Sequence, residues 1–406
     1  MLAGGAARGA YEVGVIQHLV EEVSRDLGRH VHLPILCGTS VGAINACAMA
    51  AFADEPVRRM QLMVRYWTQL RVEDILLPTP SDFVGIMRLA LGFGRRVPTS
   101  ATPSGLFDAA GLSHLLSEAI PFARIGEHLA SGLLDAVTVS TTQVSSGRTR
   151  VFVQRRPGEP LRWRSDPTIV AQDVTLLPEH ALASAAIPFF FPPVRIGNDY
   201  YCDGGLRQNV PFSPARKLGA NRMIIIDPRH LATTPDPVAE AADKPPPAPA
   251  DLALFSKILD AVLLDHLDND LERITRINSI LEAGTRIAGP EFIERLNREL
   301  GHAPGTGLRP LRTVLVRSSR DIGALATEFA RTHGFRLRLK GLVGRSLSRM
   351  AESDAKTESD LLSYLLFDGN FARQLIELGR ADARAMHNEL CAFFDAANAP
   401  DEIEAA

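Results

Sequence analysis

A serine placed between two glycines is the first residue of the chain whose setting could do covalent chemistry. Ser40 lies in "PILCGTSVGAINA", where a short apolar run ends in Gly38-Thr39-Ser40-Val41-Gly42 and small apolar residues of helical character follow. Gly-x-Ser-x-Gly between a strand and a helix is typical of a nucleophile elbow. Side chains at Gly38 and Gly42 would collide with neighbouring backbone in such a turn, which lifts the hydroxyl to the positive end of the helix. A tight structural turn is the alternative.

A glycine-rich segment at the start of the chain is a candidate anion site. The segment "GGAARG" consists of Gly4, Gly5, Ala6, Ala7, Arg8 and Gly9. A glycine-rich turn that opens a helix directs free N–H groups at an anion, and the tetrahedral intermediate of ester hydrolysis is such an anion. A dinucleotide fingerprint needs glycine where this chain has Ala6, and no G-K-[ST] follows. We therefore predict an oxyanion-binding loop, with an ordinary strand-to-helix turn as the alternative.

Asp203, in "YYCDGGLRQNVP", is the candidate general base. Gly204 and Gly205 let the backbone turn sharply and leave the carboxylate in open space. The apolar residues before it favour a partly buried carboxylate with a raised pKa, which accepts a proton from serine directly. The alternative is an Asx turn, which is common at Asp-Gly. His230 fits the chain order of a Ser-Asp-His triad, but fewer than forty residues precede Ser40, which argues against an α/β-hydrolase fold.

The strands and helices that must position these residues are predicted to form an α/β sheet. A β-α-β-α start is indicated by the glycine segment and its helix, a strand at 33–37 and a helix from Val41 to about Phe52. Only three residues precede the glycines, so the first strand is either truncated or very short. Later segments add strands at 136–141, 149–154, 222–227 and 313–317, helical patterns over 252–300, and two helices within 357–397.

The chain is predicted to divide at a Pro-rich stretch. We expect a catalytic core at 1–230, a loop or linker at 231–250, and a mainly helical region with one further strand at 251–406, packed on the core. Residues 81–98, "SDFVGIMRLALGFGRRVP", combine apolar residues at helical spacing with three arginines. This pattern predicts a segment that docks on an anionic membrane, and a helix packed on the sheet is the alternative.

Three motifs in this order, "GGAARG", "GTSVG" and "DGG", resemble the patatin-like phospholipases, as do "ASAAIPFFFPPV" and "NVP". The resemblance implies a three-layer α/β/α patatin-like sheet with a helical C-terminal extension. It implies Ser40 as the nucleophile, Asp203 as the base and an oxyanion hole around Gly5, Ala6 and Ala7, with Arg8 fixing the loop. The family loop usually has a third glycine where this chain has Ala6. If that position needs a positive φ, alanine is strained there by ~1 kcal/mol or more.

The implied function is phospholipase A or lysophospholipase-type hydrolysis of a phospholipid or other lipid ester, without a metal or another cofactor. An acyltransferase that uses the same dyad, and a non-catalytic lipid-binding regulatory protein, remain alternatives. A net charge of -3 does not favour nucleic acid as a partner. No apolar run approaches the ~18–20 residues of a membrane helix, and the start lacks a signal-peptide pattern. We expect a cytoplasmic protein or one peripheral to a membrane; the sequence does not indicate the oligomeric state.

Overall fold

The computed structural model of the chain describes residues 1–78, 105, 107–158, 168–230, 267–302, 307–332 and 356–395. The predicted membrane-docking segment at 81–98 and the Pro-rich stretch at 231–250 lie outside the described residues. The first 15 residues of the predicted helical stretch at 252–300 also lie outside them.

The described residues form a mixed sheet. Its central strand, Ala136–Gln143, is buried along its whole length. Its strands are β1 (Ile35–Thr39), β2 (Ala136–Gln143), β3 (Thr149–Arg155), β4 (Ile169–Asp173), β5 (Val194–Ile196), β6 (Asp199–Asp203), β7 (Arg222–Asp227) and β8 (Arg312–Arg317). Strand β2 pairs with β3 on one side and with both β1 and β6 on the other. Strands β7 and β8 pair in parallel, and Leu2 forms parallel bridges to both Gly38 and Ile226. Leu2 therefore lies between β1 and β7 and links them.

Helices cover the sheet. The α-helices of six or more residues are α1 (Gly9–His18), α2 (Val41–Ala51), α3 (Pro56–Gln69), α4 (Ala110–Ala119), α5 (Ala123–Ala130), α6 (Pro178–Ser184), α7 (Phe212–Lys217), α8 (Leu267–Ala288), α9 (Phe292–Glu299), α10 (Ile322–Arg331), α11 (Lys356–Leu365), α12 (Gly369–Ala385) and α13 (His387–Asp395). The predicted long helix is interrupted between α8 and α9, where Gly289 has a φ of 88° and Pro290 follows. No helix among the described residues is long and apolar enough to cross a membrane.

Side chains of β7 show that both faces of the sheet are covered. Ile224 and Ile226 belong to the large apolar core that includes α1 and α2. Met223 and Ile225, which alternate with them, belong to a smaller core with residues of α7 and α8. Successive side chains of a strand point to opposite faces. The chain therefore has three layers, helices on each face of a mixed sheet, as the resemblance implies.

The C-terminal helices pack directly on the first one. Helices α1 and α12 approach so closely that a Cβ added at Gly14 would contact the carbonyl of Ile376, and one at Gly379 would contact the carbonyl of Tyr11. Strand β8 extends the sheet beyond β7 over the full six-residue register. Residues far beyond the Pro-rich stretch thus contribute both a strand and a face of the core.

Candidate active site

Ser40 and Asp203 meet because two strands end at the same place on β2. Strand β1 runs parallel to β2 and ends with Thr39 opposite Ser140. Strand β6 runs antiparallel to β2, from the other direction, and ends with Asp203 opposite Thr141. Since Ser140 and Thr141 are adjacent, the two strand ends face each other. The residue that follows β1 and the last residue of β6 are thereby brought into contact.

Ser40 occupies a strained turn between β1 and α2. Its φ is 54°, in the left-handed region that non-glycine residues rarely adopt. A Cβ added at Gly38 would contact backbone of α2, and one at Gly42 would contact the carbonyls of Leu2 and Ala3. The two glycines therefore allow a close approach of backbone, as the pattern predicts. The Ser40 N–H donates to Ser184 Oγ at 2.8 Å, and that hydroxyl donates to the carbonyl of Ser140.

The carboxylate of Asp203 accepts two short hydrogen bonds. Ser40 Oγ donates to Oδ2 at 2.6 Å, and the Gly205 N–H donates to Oδ1 at 2.7 Å. Burial raises the pKa of Asp203 to about 7, although both hydrogen bonds act to lower it. A carboxyl with this pKa is poised to exchange protons near neutral pH.

The expected open setting of Asp203 is wrong in detail. Its side chain is 1% exposed, and its bond to the Gly205 N–H is an Asx turn, so the structural alternative coexists with the serine contact. Gly204 is required for another reason: a Cβ there would contact the carbonyl of Ser140. The Asp-Gly-Gly sequence therefore packs the carboxylate against β2.

The glycine-rich segment lies next to Ser40. Gly4, Gly5 and Ala6 line one small cavity with Ser40 and Asp203. Within the described part of the chain, no acceptor is found for the N–H groups of Gly5, Ala6 and Ala7. The N–H groups of the segment that donate to backbone carbonyls are those of Gly4, Arg8 and Gly9. Ala6 has a φ of 46°, so it adopts the positive φ that an alanine tolerates poorly.

Two side chains hold this segment in place. Arg8, 5% exposed, donates from Nε to Ser363 Oγ at 2.8 Å and forms an ion pair with Asp360 at 3.2 Å. Its guanidinium also lies 4.1 Å from the ring centroid of Tyr364. At the other end, the main-chain carbonyl of Asn209 accepts a hydrogen bond from the Gly4 N–H, and the Asn209 side chain donates from Nδ2 to the Gly4 carbonyl.

An apolar passage leads away from Ser40. A cavity of about 40 Å³ contains Ser40 and Ala6 among walls that include Phe190, Phe191 and Tyr364. A second cavity of about 90 Å³ lies beyond it. The two cavities share the walls Val41, Ile44, Ile75, Leu112 and Phe367. The two cavities therefore adjoin, and a hydrocarbon chain bound next to Ser40 would lie against apolar side chains.

His230 is not part of this site. Its Nδ1 lies 3.0 Å from the carbonyl of Ser318, and the residue lines none of the cavities at Ser40. Sequence reasoning gave no role to Ser184 or Asn209, although both lie in motifs quoted for the resemblance. Their short polar side chains carry no signal by themselves. Only the three-dimensional contacts show that they hold the serine turn and the glycine-rich segment.

A family model matches the part of the chain that carries these motifs. Residues 1–216 match the sequence model of a family described as patatin-like phospholipase. A Pseudomonas aeruginosa (strain BWHPSA011 / Pa011) protein named "cGAMP-activated phospholipase" is 29% identical over 210 residues, 52% of this chain and 53% of the relative. The match thus spans about half the length of that curated relative. The crystal structure of VipD from Legionella pneumophila is 14% identical, with 93% of this chain and 66% of that chain covered and a TM-score of 0.27.

Proposed function

The chain belongs to the patatin-like phospholipase family, and on this premise we propose that it hydrolyses lipid esters of the phospholipase A or lysophospholipase type through a Ser40–Asp203 dyad. The observation that carries the proposal is the 2.6 Å hydrogen bond from Ser40 Oγ to Asp203 Oδ2. A serine hydroxyl is a weak nucleophile until a base takes its proton, and Asp203 accepts its hydrogen bond.

Acylation begins when the Asp203 carboxylate accepts the Ser40 proton. The serine oxygen attacks the ester carbonyl, and the carbonyl oxygen takes the negative charge. The N–H groups of Gly5, Ala6 and Ala7 stabilise this oxyanion. When the intermediate collapses, the bond to the leaving alcohol breaks, and the protonated Asp203 returns its proton to that alcohol or lysolipid.

Deacylation repeats these steps with water. Asp203 takes a proton from a water molecule, whose oxygen attacks the Ser40 ester. The fatty acid leaves as Ser40 regains a proton from Asp203. The apolar passage behind Ser40 supports a fatty acyl chain as the acid part of the substrate, since its walls offer apolar contacts rather than polar partners.

The test of the dyad uses a lipid ester and two variants. Ser40→Ala and Asp203→Asn should each lower turnover by at least ~100-fold, because the two residues act as a unit. His230→Ala is the matched control and should keep most of the activity. A folded His230→Ala protein without activity, or an active Asp203→Asn protein, would contradict the dyad.

Product analysis separates hydrolysis from acyl transfer. With water as the acceptor, fatty acid release should match the loss of substrate, even when an alcohol such as glycerol is added. An acyl ester of the added alcohol as the main product would favour the transferase instead.

We also propose that a cyclic dinucleotide activates this hydrolase. What supports this step is the Pseudomonas relative, which is named as activated by cGAMP. Turnover of a lipid ester should rise when cGAMP is added, and an unchanged rate would contradict this form of control.

A further inference from the structure

Another, larger cavity lies beside the segment that follows Asp203. Its volume is about 620 Å³, within the ~300–1,000 Å³ of small-molecule sites. Its wall carries five arginines: Arg207, Arg216, Arg229, Arg273 and Arg309. We call it the arginine cavity. Its apolar wall includes Ile169, Phe212 and Ile274, so a ligand there meets both cationic and apolar groups.

Within the part of the chain that the structure describes, most of this positive charge has no carboxylate partner. Arg229 is paired with Asp227 and Asp268. Among the described residues, no ion pair is found for the other four arginines, although Asp270 also lines the cavity. Guanidinium groups that lie together without carboxylates are suited to phosphate oxygens, which they bind in pairs of parallel hydrogen bonds.

Two buried polar atoms at this cavity favour the binding of a polar molecule. Arg309 Nε and Gln208 Oε1 are buried, and neither has a hydrogen-bond partner in the described part of the chain. Gln208 is only 8% exposed. Burial, and next the charge of Arg216, lower the pKa of Arg309. Buried polar atoms are nearly always paired, so an unpaired donor and acceptor at one cavity indicate that a polar molecule completes it.

Two residues of the cavity wall, Gln208 and Asn209, also form hydrogen bonds to the serine turn and to the glycine-rich segment. The Gln208 carbonyl accepts from Thr39 Oγ1 at 3.1 Å, next to the nucleophile. Asn209, which also lines the arginine cavity, exchanges two hydrogen bonds with Gly4. Gln208 and Asn209 lie on the segment that begins at Asp203. Within that segment, the Gln208 N–H donates a hydrogen bond to the Gly204 carbonyl at 2.9 Å. A ligand that moves or fixes Gln208 and Asn209 therefore acts on both the serine turn and the glycine-rich segment.

We propose that the arginine cavity binds a phosphate-bearing small molecule and that its occupancy changes the reactivity of Ser40 through Gln208 and Asn209. Phosphate oxygens bind Arg216 and Arg309, and the apolar wall takes the rest of the molecule. This site deepens the control proposed above and rests on the proposed hydrolase, because the group that it regulates is the nucleophile of that reaction.

Binding is measured by calorimetry with the full-length Ser40→Ala chain, so that no turnover interferes. The probes are cGAMP, inorganic pyrophosphate, and vesicles that contain an anionic phospholipid. We expect at least one phosphate probe to bind with micromolar affinity or better. Arg216→Glu with Arg309→Glu should weaken it at least ~10-fold, since two charge-assisted contacts are lost. Arg216→Gln with Arg309→Gln is the second variant, should the glutamates prevent folding.

The matched control keeps the same change in charge. Arg276→Glu with Arg295→Glu alters two exposed arginines on α8 and α9 that do not line the cavity. This control should bind the probes as the parent does. No binding of any probe, or equal loss in the cavity variants and the control, overturns the proposal. Binding of vesicles but of no soluble probe, lost with Arg216 and Arg309, identifies a lipid headgroup as the source of the phosphate.

The coupling between the arginine cavity and Ser40 is measured as the rate at which a fluorophosphonate labels Ser40 in the wild-type chain. A saturating probe should change this rate at least ~3-fold, and the change should vanish in the cavity variants and persist in the control. Binding without any change in labelling overturns the coupling. Labelling does not need lipid hydrolysis, so a chain that binds, responds and still hydrolyses no lipid contradicts the hydrolase and not the cavity.

Discussion

Backbone strain is concentrated around the nucleophile. Among the described residues, the non-glycine residues with positive φ are Ala6, Ser40 and Phe189. Ala6 and Ser40 line the same cavity, and Phe189 directly precedes Phe190, which lines it too. Such strain persists only where surrounding contacts impose it, and it is typical of functional sites. The strain at Ser40 follows from its motif and the strain at Ala6 from the missing glycine, but the "FFF" run gives no sign of the strain at Phe189.

The raised pKa of Asp203 predicts the pH dependence of the reaction. Since its pKa is about 7, the carboxyl is protonated at lower pH and cannot accept the serine proton. We expect kcat/KM for a neutral ester to fall about tenfold per pH unit below the pKa and to level off above it. The measurement is a pH–rate profile between about pH 5 and 9 in constant ionic strength.

The control for this profile is the thermal stability of the chain at each pH, which separates inactivation from titration. A rate that stays constant down to pH 5, with the fold intact, would show that Asp203 is ionised there. The carboxyl would then be a weaker base than its burial predicts.

Strands with an apolar run are easier to predict than short strands that depend on their pairing. The predicted strand at 222–227 is found as β7, and that at 313–317 forms all but the first residue of β8, because their apolar runs fit a sheet covered on both faces. The sequence pattern does not predict strands β4, β5 and β6. Strands β5 and β6 are short, and what makes them strands is their pairing with each other and with β2. The contact between Ser40 and Asp203 depends on this pairing, so no local pattern shows it. The local residues made Asp203 a candidate base, and the family resemblance paired it with Ser40.

Because α1 and α12 are in close contact, one methyl group added between them should lower the stability of the chain. Gly379→Ala places a Cβ against the Tyr11 carbonyl, and backbone cannot yield as a flexible side chain can. Overpacking of this kind costs ~1–3 kcal/mol, so the melting temperature should fall by several degrees. Because α1 begins at the glycine-rich segment, we expect the labelling rate of Ser40 to fall as well.

Gly126→Ala is the matched control for this change. Gly126 also lies within a helix, α5, but its added Cβ would meet only the end of the Gln154 side chain, at 3.2 Å. Alanine favours a helix over glycine by about 1 kcal/mol, so this variant should be neutral or more stable. An equal loss of stability in both variants would show that the contact of α1 with α12 is not tight.

The catalytic unit that we propose extends well beyond the match to the family model. That match ends at residue 216, before β7 and β8. The partners of Arg8, Asp360 and Ser363, lie on α11. Within the described residues, the helical C-terminal region is therefore a wall of the core rather than an appendage. We propose that the divisions at 1–230, 231–250 and 251–406 mark segments of one folding unit.

At the scale of the whole molecule, a lipid hydrolase must reach its substrate in a membrane. Phe189 is 70% exposed and is followed by Phe190 and Phe191, which line the cavity at Ser40. An exposed aromatic residue beside an apolar passage suits contact with a lipid surface. The predicted docking segment at 81–98 stays a prediction, so Phe189 offers the test within the described residues.

Phe189→Asp should weaken binding to phospholipid vesicles about tenfold, because burial of the ring in lipid is worth ~1.5–3 kcal/mol. Asp tolerates a positive φ better than Phe does, so the backbone is not strained further. Vesicle hydrolysis should fall with binding, whereas hydrolysis of a short soluble ester should be spared. Ile287→Asp, at an 87% exposed position on α8, is the control and should leave both rates unchanged. Equal loss on both substrates for Phe189→Asp would mean that the ring supports the wall of the cavity and does not contact the membrane.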